Sequence, residues 1–256
     1  MRISIRTHYT ESDVRQSTIA DMREAARAGY EALELCVVGG PQGLRGPCTD
    51  LTSADVDAII EAGEETGVPV TSLSSDWVWQ YGTADRPLSD WEEGVEGLAK
   101  DAELARQIGA SYSLCHLAES HGTWDEAKDI LAAAGDAAAE QGVWFGYEAS
   151  LFVRCGLGQF DDLLRMLDEL DHPAMGAYDH CWYPERGRPA HVQVEQIGER
   201  LYGYHSSLLT PETTDYGKLF DAMKRVGYKG DWVFEISWEH AEEQCTLLKE
   251  LMKAAE

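Results

Sequence analysis

The chain has 256 residues, 44% hydrophobic and 26% charged; that length fits one eight-fold α/β barrel over residues 1–256, and that composition excludes a disordered chain. A formal charge of −25, from 46 acidic against 21 basic residues, repels phosphate backbones and anionic lipid surfaces, so neither nucleic acid nor membrane is an expected partner. No apolar run approaches the ~20 residues needed to cross a bilayer, and residues 1–10 lack the apolar core of a signal peptide, which makes the cytoplasm the expected location.

Six cysteines (Cys36, Cys48, Cys115, Cys155, Cys181 and Cys245) are scattered without a CxxC pair, a pattern of reduced thiols rather than of a disulfide framework or zinc knuckle. Lysine supplies only 7 of the 21 basic residues. A salt-adapted surface and ordinary solubility charge would both look like this.

Eight short β-branched or apolar runs, each followed by a stretch with helical spacing where the sequence permits one, set the expected order of elements. Strands are predicted at residues 3–5, 32–37, 70–73, 112–116, 143–148, 175–179, 201–205 and 232–236. Helices are predicted at 18–28, 53–66, 91–108, 124–141, 160–170, 216–226 and 239–255, with the Pro- and Gly-containing segment after the sixth strand the poorest helix former. Gly29, Gly67, Gly109, Gly142 and Gly227 stand where a left-handed residue ends a helix.

Eight alternations in this length favour a closed (β/α)8 barrel over an open doubly wound sheet. The first turn reads Arg-Thr-His-Tyr-Thr from Arg6 and not GxGxxG, which removes the main support for a dinucleotide fold. Long segments follow strands two, three and six, and in a barrel they lie on the C-terminal face, where the chemistry sits.

Four potential ligands fall at or near the ends of consecutive strands: Glu148, Asp179, His205 and Glu235, spaced by close to one βα unit each. Any one alone could be a helix cap or a satisfied polar group. Four in sequence on one rim are harder to explain by caps. Three carboxylates and an imidazole make a hard, oxygen-rich site suited to Mn²⁺ first, with Mg²⁺ or Co²⁺ as alternatives. Such an ion can bind the hydroxyl and carbonyl oxygens of a sugar and polarise the carbonyl.

The segments AGYEALEL (28–35), GVWFGYE (142–148), HPAMGAYD (172–179) and GYKGDWVFE (227–235) resemble the xylose isomerase-like barrel superfamily, which includes ketose 3-epimerases, hydroxypyruvate isomerases, inosose dehydratases and type IV AP endonucleases. The resemblance runs over nearly the whole chain and implies the same four metal ligands. It further implies that Glu148 and Glu235 act as the acid/base pair of an epimerase. Two motifs depart from the family's pattern. Where the family often has a histidine three residues after the strand-six aspartate, this chain has Trp182, with His180 next to Asp179; after strand seven the run is HSSLLTP (205–211), without the family's usual basic residue. The resemblance therefore implies a non-phosphorylated substrate.

On the same rim, His8, His116, Trp77, His180, Trp182 and Arg154 are candidate substrate contacts, with Arg186 or Arg188 as other sources of positive charge and Glu34 as either a rim group or a buried structural acid. The aromatic groups would suit the C–H face of a sugar, or would simply pack the loops or a dimer contact.

The leading expectation is a metal-dependent sugar isomerase or epimerase. A lyase or dehydratase acting on a keto sugar or inosose on the same scaffold is the alternative, and a non-catalytic sugar-binding or accessory subunit is the alternative of another class. A repair endonuclease would need more ligands and a basic surface, which the charge opposes. A small sugar is the expected partner, and a homodimer is an open alternative to a monomer.

Overall fold

The computed structural model describes residues 1–8, 13–37, 51–75, 91–115, 123–148, 160–180 and 188–255. In chain order the elements are β1 (Ile3–Arg6), α1 (Val14–Ala28), β2 (Ala32–Cys36), α2 (Ser53–Thr66), β3 (Val70–Ser75), α3 (Trp91–Ile108), β4 (Tyr112–Cys115), α4 (Trp124–Gln141), β5 (Trp144–Tyr147), α5 (Phe160–Leu170), β6 (Met175–His180), α6 (Ala190–Ile197), β7 (Leu201–Ser206), α7 (Tyr216–Arg225), β8 (Trp232–Phe234) and α8 (Trp238–Ala254). The strands pair in parallel in sequence order, and β8 returns to β1. This is the closed barrel that the alternation predicts.

Burial on both faces explains why these strands read as apolar runs broken by single polar residues. All five residues of β2 are buried. Side chains alternate along a strand, so Leu33 and Leu35 belong to the layer between barrel and helices, while Glu34 enters the barrel interior. Helix α7 covers the outside of the barrel near its last two strands, where Trp232 is fully buried between Tyr204, at 4.7 Å between ring centroids, and Phe220, at 5.8 Å.

The helix ends show why the boundaries fall where they do. Thr52 and Asp55 form a reciprocal capping box at the start of α2, and Thr123 and Glu126 form another at the start of α4; each satisfies backbone N–H groups that the first turn leaves without partners. Gly142 closes α4 with φ 70°, a left-handed turn that costs a Cβ-bearing residue more.

Helix α1 starts a turn earlier than its apolar spacing predicts. Asp13 accepts a hydrogen bond from the Gln16 N–H at 2.8 Å, and the first turn buries Ser17 and Thr18 in place of large apolar groups. The segment expected to be the poorest helix former holds the eight-residue α6, entered through Pro189 and followed by a 3₁₀ turn at Gly198–Arg200.

At the N-terminal end of the barrel, Asp231 accepts from Arg2 at 2.9 Å and from Thr71 at 2.5 Å, tying strands from both sides of the chain's closure. Cys36, Cys115 and Cys245 are buried. Among the described residues, no helix is long and apolar enough to cross a membrane.

Candidate active site at the barrel mouth

The mouth is built on a hydrogen-bonded network inside the barrel. Tyr178 on β6 reaches across to β2 and donates from its hydroxyl to Glu34 Oε2 at 2.5 Å. Ser72 on β3 donates to the same oxygen at 3.1 Å. The other oxygen, Oε1, lies 2.7 Å from His205 Nε2 on β7. Glu34 is fully buried, so this carboxylate takes three partners in place of water, as a buried acid must.

Two glycines make room for that crossing ring. A Cβ on Gly203 would overlap the Tyr178 ring, and one on Gly146 would stand 2.9 Å from it. The strands flanking β6 thus carry no side chain at the heights where the ring lies. Burial and then the Glu34 carboxylate push the Tyr178 hydroxyl far above its usual pKa, which keeps it a donor.

Glu34 also sets the orientation of His205. A carboxylate can only accept, so Nε2 carries the hydrogen and Nδ1 turns toward the mouth, 4.0 Å from Glu148 Oε2 and without a hydrogen bond of its own. Burial alone would lower the pKa of His205. The nearby Glu34, Glu148 and Glu235 carboxylates outweigh it, and the net shift is upward. The acids therefore favour positive charge at Nδ1, which a metal ion could supply in a proton's place.

Glu148, His180 and His205 each bring a ligand atom to a common point, all within 4.8 Å of one another and all three residues buried. Asp179 is fully buried beside them. Its Oδ1 accepts from the His180 backbone N–H at 3.0 Å, while its Oδ2 has no hydrogen-bond partner. Burial, with a contribution from Glu148, raises its pKa well above the carboxylate range. An orphaned carboxylate oxygen and an orphaned imidazole nitrogen, both on residues beside Glu148, fit a divalent cation, which would stabilise both.

Glu235 stands just after β8, with 38% of its side chain exposed, between Arg6 of β1 and His180, whose Nε2 is 3.5 Å from Oε2. Desolvation in the mouth works against its ionisation. His180, Arg6 and His205 together reverse that, holding its pKa below the usual carboxylate range.

Of the expected ligands, Glu148 and His205 lie in the compact donor group together with His180, a residue expected as a substrate contact; Asp179 and Glu235 lie near it but are not part of that group. His8 lies on the same rim, its ring 5.1 Å from that of Trp238 and its Nε2 buried without a hydrogen bond. Burial, then the charge of Arg6, lowers its pKa. Arg188 is engaged elsewhere, paired with Asp161 at 2.7 Å and stacked over Phe160. His116, Trp77, Trp182, Arg154 and Arg186 lie outside the described residues.

Arg6 is not among the residues that the sequence singles out. It ends β1 just as His205 and Asp179 fall near the ends of their strands, and the strand-tip rule applied to β1 would find it. The sequence leaves Glu34 as either a rim group or a buried acid, and the structure makes it the buried acceptor beneath the rim.

A family model described as xylose isomerase-like TIM barrel matches residues 22–254. No curated protein matches the sequence. Among solved structures, the chain is similar to a D-allulose 3-epimerase from Methylomonas sp. in complex with D-allulose, with TM-score 0.76 and 18% identity over 100% of this chain and 97% of that one. It is similar to an L-ribulose 3-epimerase, with TM-score 0.78 and 16% identity over 99% and 95% of the two chains. A 3-keto-D-glucoside 4-epimerase from E. coli gives TM-score 0.76 and 14% identity over 98% and 99%. At such identities the structural likeness speaks for the fold, and the family match extends from α1 to the end of α8. The chain belongs to the xylose isomerase-like TIM barrel family.

Proposed function

We propose that this chain is a divalent-metal-dependent sugar epimerase or isomerase that moves a proton on the carbon next to the carbonyl of a non-phosphorylated ketose or keto sugar. The observation that carries the reading is the convergence of Glu148, His180 and His205 on one point at the barrel mouth, with Glu235 on the neighbouring strand.

Glu148 and His205 would hold the ion together with His180, and Asp179 would stand behind them. An ion held there supplies Lewis acidity, which lowers the pKa of a carbon acid next to a bound carbonyl. Two imidazoles in the donor group suit Mn²⁺ or Co²⁺ better than Mg²⁺.

Glu148 and Glu235 are the acid/base pair of this reading. The hydrogen bond from His180 and the charge of Arg6 favour the carboxylate form of Glu235, the form that accepts a proton from carbon. Glu148, buried beside His205, would return a proton at the other face. Among the described residues, the arginine that reaches the mouth, Arg6, is paired with Glu235, which favours a substrate without a phosphate group. The solved neighbours named for epimerases of allulose, ribulose and a keto-glucoside support the same substrate class.

The test is solvent deuterium exchange into a panel of ketoses with Mn²⁺, Co²⁺ and Mg²⁺. Glu148→Gln and Glu235→Gln should each abolish incorporation at the carbon next to the carbonyl. Incorporation retained in both variants would overturn the mechanism.

A further inference from the structure

The end of the barrel away from the mouth carries an open cavity of about 520 Å³, within the size range of small-molecule sites, about 300–1,000 Å³. It lies where strands begin: Tyr112 starts β4, Trp144 starts β5, and Tyr202 is the second residue of β7. Glu199 and Lys229 line it from the segments that lead into β7 and β8. Strand β5 runs from Trp144 toward Glu148, so roughly 13 Å of strand separates this cavity from the metal site.

Trp144 is 40% exposed, and the other exposed large apolar side chains among the described residues, Met1 and Leu208, are not aromatic. Its ring stands between two others: that of Tyr112 at 6.1 Å between centroids, inclined by 35°, and that of Tyr202 at 6.3 Å, inclined by 54°. The Tyr202 hydroxyl donates to the Pro173 carbonyl at 3.2 Å, and that of Tyr228, also on the cavity wall, donates to the Asp231 carbonyl at 2.6 Å. Part of the wall is thus fixed before a ligand arrives, which lowers the entropy lost on binding.

The mixture of groups narrows what the wall can hold. Aromatic faces take the C–H side of a pyranose ring, and polar groups at the edge bond its hydroxyls. Glu199 offers an acceptor and Lys229 offers donors, and neither forms an ion pair with another described residue. A cage for an organic cation would be weakened by an ammonium group beside its rings. An anion would meet the −25 charge of the chain. A neutral polyhydroxylated ring meets neither obstacle.

We infer that the N-terminal end of the barrel is a second, non-catalytic carbohydrate site, which takes a neutral glycoside with one pyranose ring against Trp144 and its hydroxyls bonded to Glu199 and Lys229. The inference does not rest on the metal-dependent reading of the mouth.

The experiment uses the full-length protein, treated with chelator and labelled with fluorotryptophan. Methyl β-glucopyranoside and methyl β-cellobioside are the probes, because neither has a free carbonyl for the mouth to act on, and choline is the competing chemistry. Fluorine NMR should show a saturable shift of the Trp144 signal, identified by its loss in Trp144→Phe, with the glycosides and none with choline. By calorimetry, Trp144→Ala should weaken glycoside binding at least about 10-fold. Glu199→Ala and Lys229→Ala, at exposed side chains, should weaken it by about 3- to 10-fold each.

A Trp144 signal that no glycoside moves would overturn the inference, and a shift with choline alone would assign the rings to a cation instead. Glycoside binding left at full strength in all three alanine variants would place the sugar elsewhere and overturn it too. The NMR titration needs no alanine variant, so it stands even if Trp144→Ala misfolds. No readout involves an ion or an exchanged proton, so a protein that epimerises nothing would leave this site standing, and an active epimerase with an unmoved Trp144 signal would lose it.

Discussion

His205 and Glu34 face each other across the barrel, from β7 and β2, with Nε2 2.7 Å from Oε1 and at most 1% of either side chain exposed. The contact fixes the ring so that its other nitrogen faces the mouth. Partners of this kind, one step behind a metal ligand, set the tautomer and the basicity of the ligand. Glu34→Gln should weaken divalent-metal binding about 10- to 100-fold while leaving every direct donor in place. The amide would also set its N–H groups against the donors from Tyr178, Ser72 or His205, a loss of about 1–3 kcal/mol. Calorimetric metal titration and urea unfolding of the same sample would read the two effects. Unchanged metal affinity would show that His205 does not depend on Glu34.

Gly203 and Tyr178 offer a test from the packing side. A Cβ on Gly203 would overlap the tyrosine ring, and the Gly146 backbone packs close to that ring on the other flank, which limits its retreat. Gly203→Ala should destabilise by at least about 3 kcal/mol, combining overpacking with the loss of the buried Tyr178–Glu34 bond. Gly67→Ala is the control. That residue has φ 73° but open space around it, and its cost should stay near the ~1–2 kcal/mol of a left-handed alanine. Equal losses in the two variants would mean that the ring can move aside.

A pH effect away from the mouth follows from the cap of α4. The backbone and then the hydroxyl of Thr123 donate to Glu126 and hold its pKa below the usual carboxylate range. A group whose pKa is lowered on folding adds stability above its unfolded pKa. That stability is lost as pH falls through the folded value. Glu126→Gln should therefore be less stable than the unaltered protein at neutral pH, and the gap should close in acid as Glu126 takes up its proton. Thermal unfolding of both proteins across that range would show it, and a gap that does not change with pH would contradict it.

The barrel is legible in the sequence because its signals are local: apolar runs of strand length, helical spacing between them, and glycines such as Gly29 and Gly142 at the helix ends. Boundaries slip where local spacing stops being informative. The first turn of α1 buries Ser17 and Thr18, which carry no apolar periodicity, and α6 follows a segment containing prolines. The mouth is half legible. Counting strand ends singles out Glu148, Asp179, His205 and Glu235, but whether Asp179 or the adjacent His180 comes closest to Glu148 and His205 depends on the local set of β6. That follows from the register of β6 with β7, which shifts between Ala177 and Tyr178, and no spacing rule contains it. The pairing of Arg6 with Glu235 spans 229 residues and depends on closure of the barrel, so only the folded chain brings the two together.

Metal should stabilise the fold as well as enable the chemistry. In its absence the mouth keeps Asp179 Oδ2 and His205 Nδ1 buried without hydrogen bonds, a state that folding tolerates at a cost. An ion that binds the folded chain alone adds about 2.7 kcal/mol when supplied at 100 times its dissociation constant. For a chain of this size that corresponds to a rise in Tm of roughly 5–10 °C. Chelator-treated protein titrated with Mn²⁺ or Co²⁺ in a thermal melt should show that rise, and Glu148→Gln or His205→Gln should remove most of it. Calcium, which prefers six or more oxygens, should give a much smaller shift at equal concentration. A melting temperature indifferent to every divalent ion would argue that the mouth holds none, and the proposed chemistry would lose its electrophile.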